Sequence, residues 1–197
     1  MNHWDLIAHP LPLHAAEGFS EDLALLEGVS QRVRPQTLRV WQTVQQGVVR
    51  SCRRTSGQCD PGVIAQRCTP GADWIVSGTH SILWSIASLQ RYRDERFPDL
   101  ICEWPLTSLR LTGLQASAHE DGSLRTPLGT IGFWGVVVRD GAALVQGIVN
   151  YGAPGGEQGW PSGSENVRGQ SGLPLPLVLD RFSRTARTLF RAREADL

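Results

Sequence analysis

The residues able to do chemistry in this chain are few, and their spacing limits what they could do. Four cysteines stand at Cys52, Cys59, Cys68 and Cys102. Zinc ligands usually pair two to four residues apart, which these spacings do not match. His80 lies beyond Trp74-Ile75-Val76 and His119 is farther still, so no histidine completes a set. No metal site is expected. A secreted disulfide scaffold would be shorter and denser in cysteine, so the four read as reduced structural thiols, at most one of them a nucleophile. All nineteen basic residues are arginine and none is lysine. Arginine stays protonated and serves neither as a Schiff-base amine nor as an easily titrated base, which excludes any mechanism needing a lysine of this chain. Arg50, Arg53 and Arg54 form a local basic cluster, but nineteen acidic residues cancel the charge to zero. A general polyanion binder needs a basic surplus, which argues against nucleic acid as a partner.

The elements that must hold these residues follow from hydrophobic period and turn chemistry. Trp4–Ala8 reads as a strand, and Ala15–Val29 as a helix with Phe19, Leu23 and Leu26 on one stripe. Ser20, Glu21 and Asp22 look like its start and Gly28 its end. Thr37–Trp41 alternates like a half-buried strand, with Gly47–Val49 continuing it as a hairpin. Arg50–Gly62 is a loop, Trp74–Val76 and Ser81–Ile86 are strands, and Leu109–Ala116 alternates as another. His119–Gly122 is a plain turn. Gly129–Arg139 and Ala142–Asn150 form a hairpin about Asp140-Gly141, the strongest local signal in the chain. Residues 151–174 are rich in Gly, Pro and Ser and read as a functional loop. A helix over Leu175–Arg193 closes the chain, its stripe being Leu179, Phe182, Ala186, Leu189 and Phe190. The tally is α+β: a single domain over 1–197 in which a mixed sheet is packed by a few helices.

Taken in order, several stretches resemble the catalytic domain shared by biotin ligases, lipoate-protein ligases and octanoyltransferases. Trp4-Asp5-Leu6-Ile7 is similar to that family's opening strand, the helix around Asp22-Leu23-Ala24-Leu25-Leu26 to the one after it, and Thr37-Leu38-Arg39-Val40-Trp41 to the next strand. Arg67-Cys68-Thr69-Pro70-Gly71 resembles the Arg-x-Thr-Gly-Gly turn, and Trp84-Ser85-Ile86 the strand that follows. Leu128-Gly129-Thr130-Ile131-Gly132 resembles the lysine-bearing strand, and Gln146-Gly147-Ile148-Val149-Asn150 its His-Gly-hydrophobic-Asn neighbour.

The resemblance implies acyl transfer to a lysine on a carrier domain, by way of an acyl-adenylate made with ATP in the ligases or a thioester in some octanoyltransferases. It assigns catalytic positions to Thr130, where the family has its lysine, and to Gln146, where it has a histidine. Ligand contacts fall to Arg67, Thr69, Gly71, Trp84, Gly147 and Asn150, and Trp74, Trp84 and Trp134 border an apolar tunnel. Cys68 falls beside that pocket as the one candidate thiol. The partners implied are a small acyl ligand and a lipoyl-carrier domain or acyl carrier protein. No cofactor is held covalently, and ATP enters only if the chain is a ligase. The departures are concentrated at the reaction centre: no lysine, Pro70 in place of a glycine, and no cysteine after Cys102. The leading expectation is a lipoyl- or octanoyl-transfer protein degenerate at its active site. The alternatives are a non-catalytic relative that binds acyl, nucleotide or carrier, and an anion- or nucleic-acid-binding module built on the Arg50–Arg54 loop. No apolar run reaches the ~20 residues of a bilayer span, and a cytoplasmic location is expected.

Overall fold

Asp140 and Gly141 both take positive φ, 51° and 78°, the geometry of a two-residue turn whose twist matches that of the strands it joins. The turn fixes the register of two of the three longest strands of a computed structural model that describes residues 3–51, 62–89, 98–152 and 164–195. These strands are β9 (Gly129–Arg139) and β10 (Ala142–Asn150), paired antiparallel from Ala142↔Arg139 to Val149↔Gly132. The expected hairpin is present. Strand β10 is buried along its whole length, and β6 (Ser81–Leu89) covers its other edge from Ala142↔Leu89 to Asn150↔Ser81.

The remaining elements build outward from this centre. Strand β1 (Trp4–Ala8) runs parallel to β2 (Gln36–Trp41), and α1 (Ala15–Ser30) crosses between them. Strand β2 pairs antiparallel with β6. Strands β7 (Ser117–Ala118) and β8 (Ser123–Thr126) extend the sheet beyond β9, and β11 (Arg193–Glu194) adds to β1, making eight strands in a mixed sheet. Three more, β3 (Gln46–Ser51), β4 (Val63–Arg67) and β5 (Trp74–Ser77), form a small separate sheet in the order β4-β3-β5. The short helices α2 (Pro98–Ile101), α3 (Glu103–Arg110) and α4 (Val167–Ser171) and the long α5 (Leu175–Phe190) complete the described chain.

Alternation along β6 and β10 divides the interior. Trp84, Ile86 and Val145 face a core with Trp104, Leu106 and Leu109 of α3 and Phe182 and Ala186 of α5. Leu83, Ala87, Leu144 and Ile148 face the other way, towards α1 and the small sheet. The α+β class and mixed sheet expected from sequence are the ones the chain adopts.

Several local expectations are corrected. The first helix begins at Ala15 after His14, with Ser20 inside it bonding back to the Ala16 carbonyl at 2.8 Å; Gly28 is also internal. Strand β2 is buried on both faces, with α1 packed on one side and α5 on the other. Strand β3 is no hairpin partner of β2; it joins the small sheet. Leu109 lies in the last turn of helix α3 and Leu111 is 53% exposed, so the expected strand there does not exist. Pro105 lies in the first turn of α3, where its missing N–H costs nothing. Helix α5 stops at Phe190, and Leu189 is exposed while Val178 and Thr185 are buried. Expectations for Cys52, Arg53, Arg54 and Cys59, and for residues 153–163 of the expected loop, lie outside the described residues; the later part of that loop holds the short helix α4.

The tightest constraint is at Gly147, which lies opposite Trp84 across β10 and β6. A Cβ there would lie 2.0 Å from Cζ2 of the indole. Both residues are buried, so neither can give way. Gly147→Ala is expected to destabilise the fold by about 1–3 kcal/mol, each kcal/mol lowering Tm by about 2–4 °C in a chain of this size. Adding Trp84→Leu should recover part of the loss, and thermal unfolding of the two variants checks both statements.

Candidate functional site

Helix α1 carries an acidic residue on its apolar stripe. Asp22 follows Phe19 by three residues and precedes Leu26 by four, so it points with them at the sheet. It is 1% exposed. A bare buried carboxylate is very costly, and the sheet supplies what offsets that cost. Arg39 in β2, also fully buried, donates from Nη1 to Asp22 Oδ1 at 2.7 Å and to the Gly18 carbonyl at 2.7 Å. Ser85 in β6 donates to the same carboxylate oxygen at 2.7 Å. Arg39 also donates from Nε to His9 Nε2 at 3.0 Å and from Nη2 to Glu21.

The second carboxylate oxygen leads to the residues singled out from sequence. Gln146 Nε2 in β10 donates to Asp22 Oδ2 at 2.8 Å. Its Oε1 accepts from Thr69 Oγ1 at 3.1 Å and from the Cys68 thiol at 3.6 Å. Thr69 Oγ1 in turn accepts from Arg67 Nη1 at 3.0 Å. The polar chain thus runs unbroken from Arg67 through Thr69, Gln146 and Asp22 to Arg39.

Arg67 is 1% exposed and turned inward upon its own loop. Its Nη1 donates to the carbonyls of Thr69 at 2.6 Å and Pro70 at 3.2 Å, and Nη2 to that of Ala72. Its guanidinium carbon lies 3.9 Å from the centre of the Trp74 ring, a cation–π contact in a desolvated setting. The turn depends on Gly71, whose φ of 121° an L side chain would strain. Arg67 is therefore a clamp on residues 69–72, and its charge is already engaged.

In front of this clamp lies a cavity of about 270 Å³ bordered by Gly71, Trp74, Phe133, Trp134, Val136 and Glu120, among others. Trp134 is fixed by its indole N–H, which donates to the His119 carbonyl at 3.1 Å. Asp121, at the same mouth, is held below the usual carboxylate range chiefly by the Ser123 hydroxyl, and it pairs with Arg125.

Of the positions named from sequence, Arg67, Thr69, Gly71 and Gln146 converge. Thr130 and Asn150 meet elsewhere: the Thr130 carbonyl accepts from the Glu165 N–H at 2.7 Å, and Asn150 Nδ2 donates to the Glu165 carbonyl at 3.1 Å. Trp84 and Gly147 alternate onto the opposite face of the sheet from Gln146. Trp74 and Trp134 border the cavity, whereas Trp84 sits in the α3–α5 core. Cys102 is buried, and burial pushes its thiol well above the ordinary range, with Asp99 adding to the effect. Among the described residues no cluster suits a metal ion. Arg50 is buried 3.8 Å from Asp73, leaving little of the basic cluster among the described residues. Sequence reasoning overlooked Asp22, Ser85 and Arg39 as a unit. The available signal was a charge placed on each of two otherwise apolar faces.

The network makes two predictions. Asp22→Ala leaves Arg39 with only Glu21 as a charged neighbour and should cost about 3–5 kcal/mol; Asp22→Leu combined with Arg39→Met should cost less than the two single losses summed, as urea titrations would show. The second concerns pH. Burial first, and Arg39 second, lower the pKa of His9 from 6.5 to about 4, against the smaller opposing pull of Asp22 and Glu17. Between those values the unfolded chain takes up a proton that the folded chain refuses, so stability is complete above about pH 6.5 and falls towards pH 4. Glu21 acts in the other direction, its pKa being raised mainly by burial against the pull of Arg39, so it regains stability as pH falls towards 4.5. His9→Gln should therefore remove the loss below pH 6.5, measured by urea midpoints across that range.

Neither a family model nor a curated protein matches the sequence. Solved structures do match the fold. The lipoate protein ligase Ta0514 of T. acidophilum with bound lipoic acid superposes with a TM-score of 0.76 at 16% identity, over 100% of this chain and 89% of that one. Lipoate-protein ligase A bound with ATP gives 0.73 at 17%, covering 98% and 90%. LipL1 of P. falciparum in complex with lipoate gives 0.72 at 8%, covering 99% of this chain and 64% of that one. A biotin protein ligase from Aquifex aeolicus, with biotin and ATP, is more distant at 0.53 and 12%. The chain has the fold of the catalytic domain shared by lipoate- and biotin-protein ligases.

Proposed function

We propose that this protein is a lipoate-ligase-like acyl-binding protein that keeps a pocket for a lipoyl or octanoyl chain and has lost ATP-dependent ligation. The observation carrying this reading is the state of Gln146. Its amide is 1% exposed and spends both ends on Asp22 and on Thr69 with Cys68. An amide held this way moves no proton and faces no reacting group. Thr130, at the other matching position, brings no positive charge. Loss of one charge-stabilising donor typically lowers the rate ~10²–10³-fold, and here two positions are changed together.

The cavity's electrostatics support the same reading. A triphosphate requires free cations, yet Arg67 is committed to carbonyls and Arg125 to Asp121, while Glu120 and Asp121 place negative charge at the mouth. Among the described residues, those around the cavity do not suit ATP, and no step through a nucleotide is drawn. The walls do suit an apolar chain: Trp74, Phe133, Trp134 and Val136 offer hydrocarbon surface. The clamp of Arg67 keeps the 69–72 turn in shape beside it. Related structures hold lipoic acid, and an archaeal bi-partite lipoate protein ligase is known with its E2 lipoyl domain. A small acyl ligand and a lipoyl-carrier domain are the partners proposed here.

Two measurements on the purified protein decide. Calorimetry with octanoate and lipoate should show weak binding, because burying the seven hydrocarbon carbons of octanoate at about 0.8 kcal/mol each is largely offset by the cost of association. Arg67→Ala should weaken it further by loosening the turn. Mass spectrometry of a mixture with ATP, lipoate and an unmodified lipoyl domain should show no acylated domain. Rapid acylation would refute the loss of ligation, and absence of heat with every acyl ligand would refute the pocket.

A further inference from the structure

Helix α1 closes against backbone preference at two positions, Gly28 inside it and Arg32 just beyond it. The Val33 N–H donates to the Gly28 carbonyl and the Arg32 N–H to that of Val29, each at 3.0 Å. This paired closure commonly has glycine at its left-handed position and an apolar contact between its outer residue and the helix. Here the left-handed residue is Arg32, with φ 60°, a conformation that an L side chain adopts at a cost. The helix position that Val33 would meet is Gly28, so Val33 finds no side chain there and is 73% exposed. Gly28 has another effect. A Cβ on it would lie 3.0 Å from Cδ of Arg34, so the bare helix surface lets the Arg34 stem lie across it.

Arg32, Arg34 and His3 border a cavity of about 480 Å³ between the end of α1 and the starts of β1 and β2, within the size range of small-molecule sites. It shares no residue with the cavity beside Arg67. Neither arginine has an ion pair or a side-chain hydrogen bond among the described residues. Asp5 lies 3.8 Å from the His3 ring but does not border the cavity, and no described carboxylate does. The carbonyls of Glu27, Gly28 and Val29 are already taken by N–H groups of residues 31–34. Gln36 adds a donor from the strand. It is 6% exposed, and its Oε1 accepts from the Leu89 N–H at 3.2 Å. Its Nε2 has no partner among the described residues and is not sealed from the cavity it borders. Val29, Val33 and Leu89 make the apolar part of the wall.

The donors select the ligand. A guanidinium presents a planar fork that matches two oxygens of one anion. A carboxylate has two oxygens and fills a single fork. The three terminal oxygens of a phosphate monoester reach both forks and still accept from an amide. We propose that this cavity binds a small phosphate monoester with an apolar substituent, free in solution, its phosphate held by Arg32, Arg34 and the Gln36 amide. The site goes beyond the acyl-binding reading and does not depend on it.

The probe is hexyl phosphate, with inorganic phosphate and hexanoate as controls. Calorimetry should show saturable binding of hexyl phosphate and weaker binding of both controls, one lacking the apolar group and the other filling one fork. In NMR spectra the Gln36 side-chain amide and the Val29, Val33 and Leu89 methyls should shift together. Arg34→Met keeps the stem over Gly28 and removes the charge, and should weaken binding about tenfold, as loss of a charged hydrogen bond does. Arg32→Gly should weaken it by a similar factor while Tm stays unchanged or rises, because glycine takes the left-handed position without strain. Salt at ~0.5 M should lower the affinity. The proposal is overturned by absence of saturable hexyl phosphate binding, by hexanoate binding as tightly, or by full-strength binding in both variants. Association with phosphatidate-containing phosphatidylcholine vesicles but not with hexyl phosphate would also overturn it, since the ligand would then be a membrane surface. Octanoate titrations keep the two proposals apart: Arg32→Gly should bind octanoate as the unaltered protein does, and loss of that binding would contradict a separate site.

Discussion

The buried pair between Arg39 and Asp22 governs how the rest of this molecule can be arranged. Neither group can leave water alone, and together they join α1 to strands β2, β6 and β10 through Ser85 and Gln146. A buried ion pair adds little net stability over well-packed apolar residues, but losing one partner is severe. Its effect is therefore geometric. It sets the rotation of α1 about its axis, and with it the orientation of the Gln146 amide and of the 69–72 turn beyond. His9 and Glu21 close the far side of Arg39. Their opposed pKa displacements follow from burial, which disfavours the charged form of each and so lowers the imidazole and raises the carboxyl, while Arg39 pulls both down.

The same economy supports the proposed loss of chemistry at the candidate site. Polar groups in a dry interior either pair completely or cost energy, and Gln146, Thr69 and Arg67 are paired in series. A reactive centre needs a group poised near its working pH and within reach of the reacting atoms. None of these three is so placed. On the proposed reading these positions serve the scaffold, while the cavity in front of them has aromatic walls.

Where local chemistry decides structure, the sequence could be read directly. The Asp140-Gly141 turn, the two strands around it and helix α1 follow from backbone preference and hydrophobic period alone. Leu109 and Leu111 misled because two apolar residues at alternate positions fit a strand as well as a helix end, and only packing against α5 decides. Gly47–Val49 misled because strand sequence does not say which sheet a strand will join. At the site, Arg67, Thr69 and Gln146 were legible as a group through family resemblance, but not their orientation. That Arg67 would turn inward depends on four carbonyl and hydroxyl oxygens and a ring that only the folded loop brings together. That Trp84 would lie behind the sheet depends on strand parity, which one residue of register reverses.

The central claim is that the Arg67–Gln146–Asp22 network stands apart from the ligand and keeps the old reaction centre sealed. The most direct measurement is NMR of the Gln146 side-chain amide protons while the cavity is filled with octanoate. The account predicts slow solvent exchange and unshifted resonances at Gln146, with shifts confined to Trp74, Phe133, Trp134 and the 69–72 turn. Fast exchange at Gln146, or a large shift on ligand addition, would mean that the amide meets the ligand and that the centre is still open to chemistry.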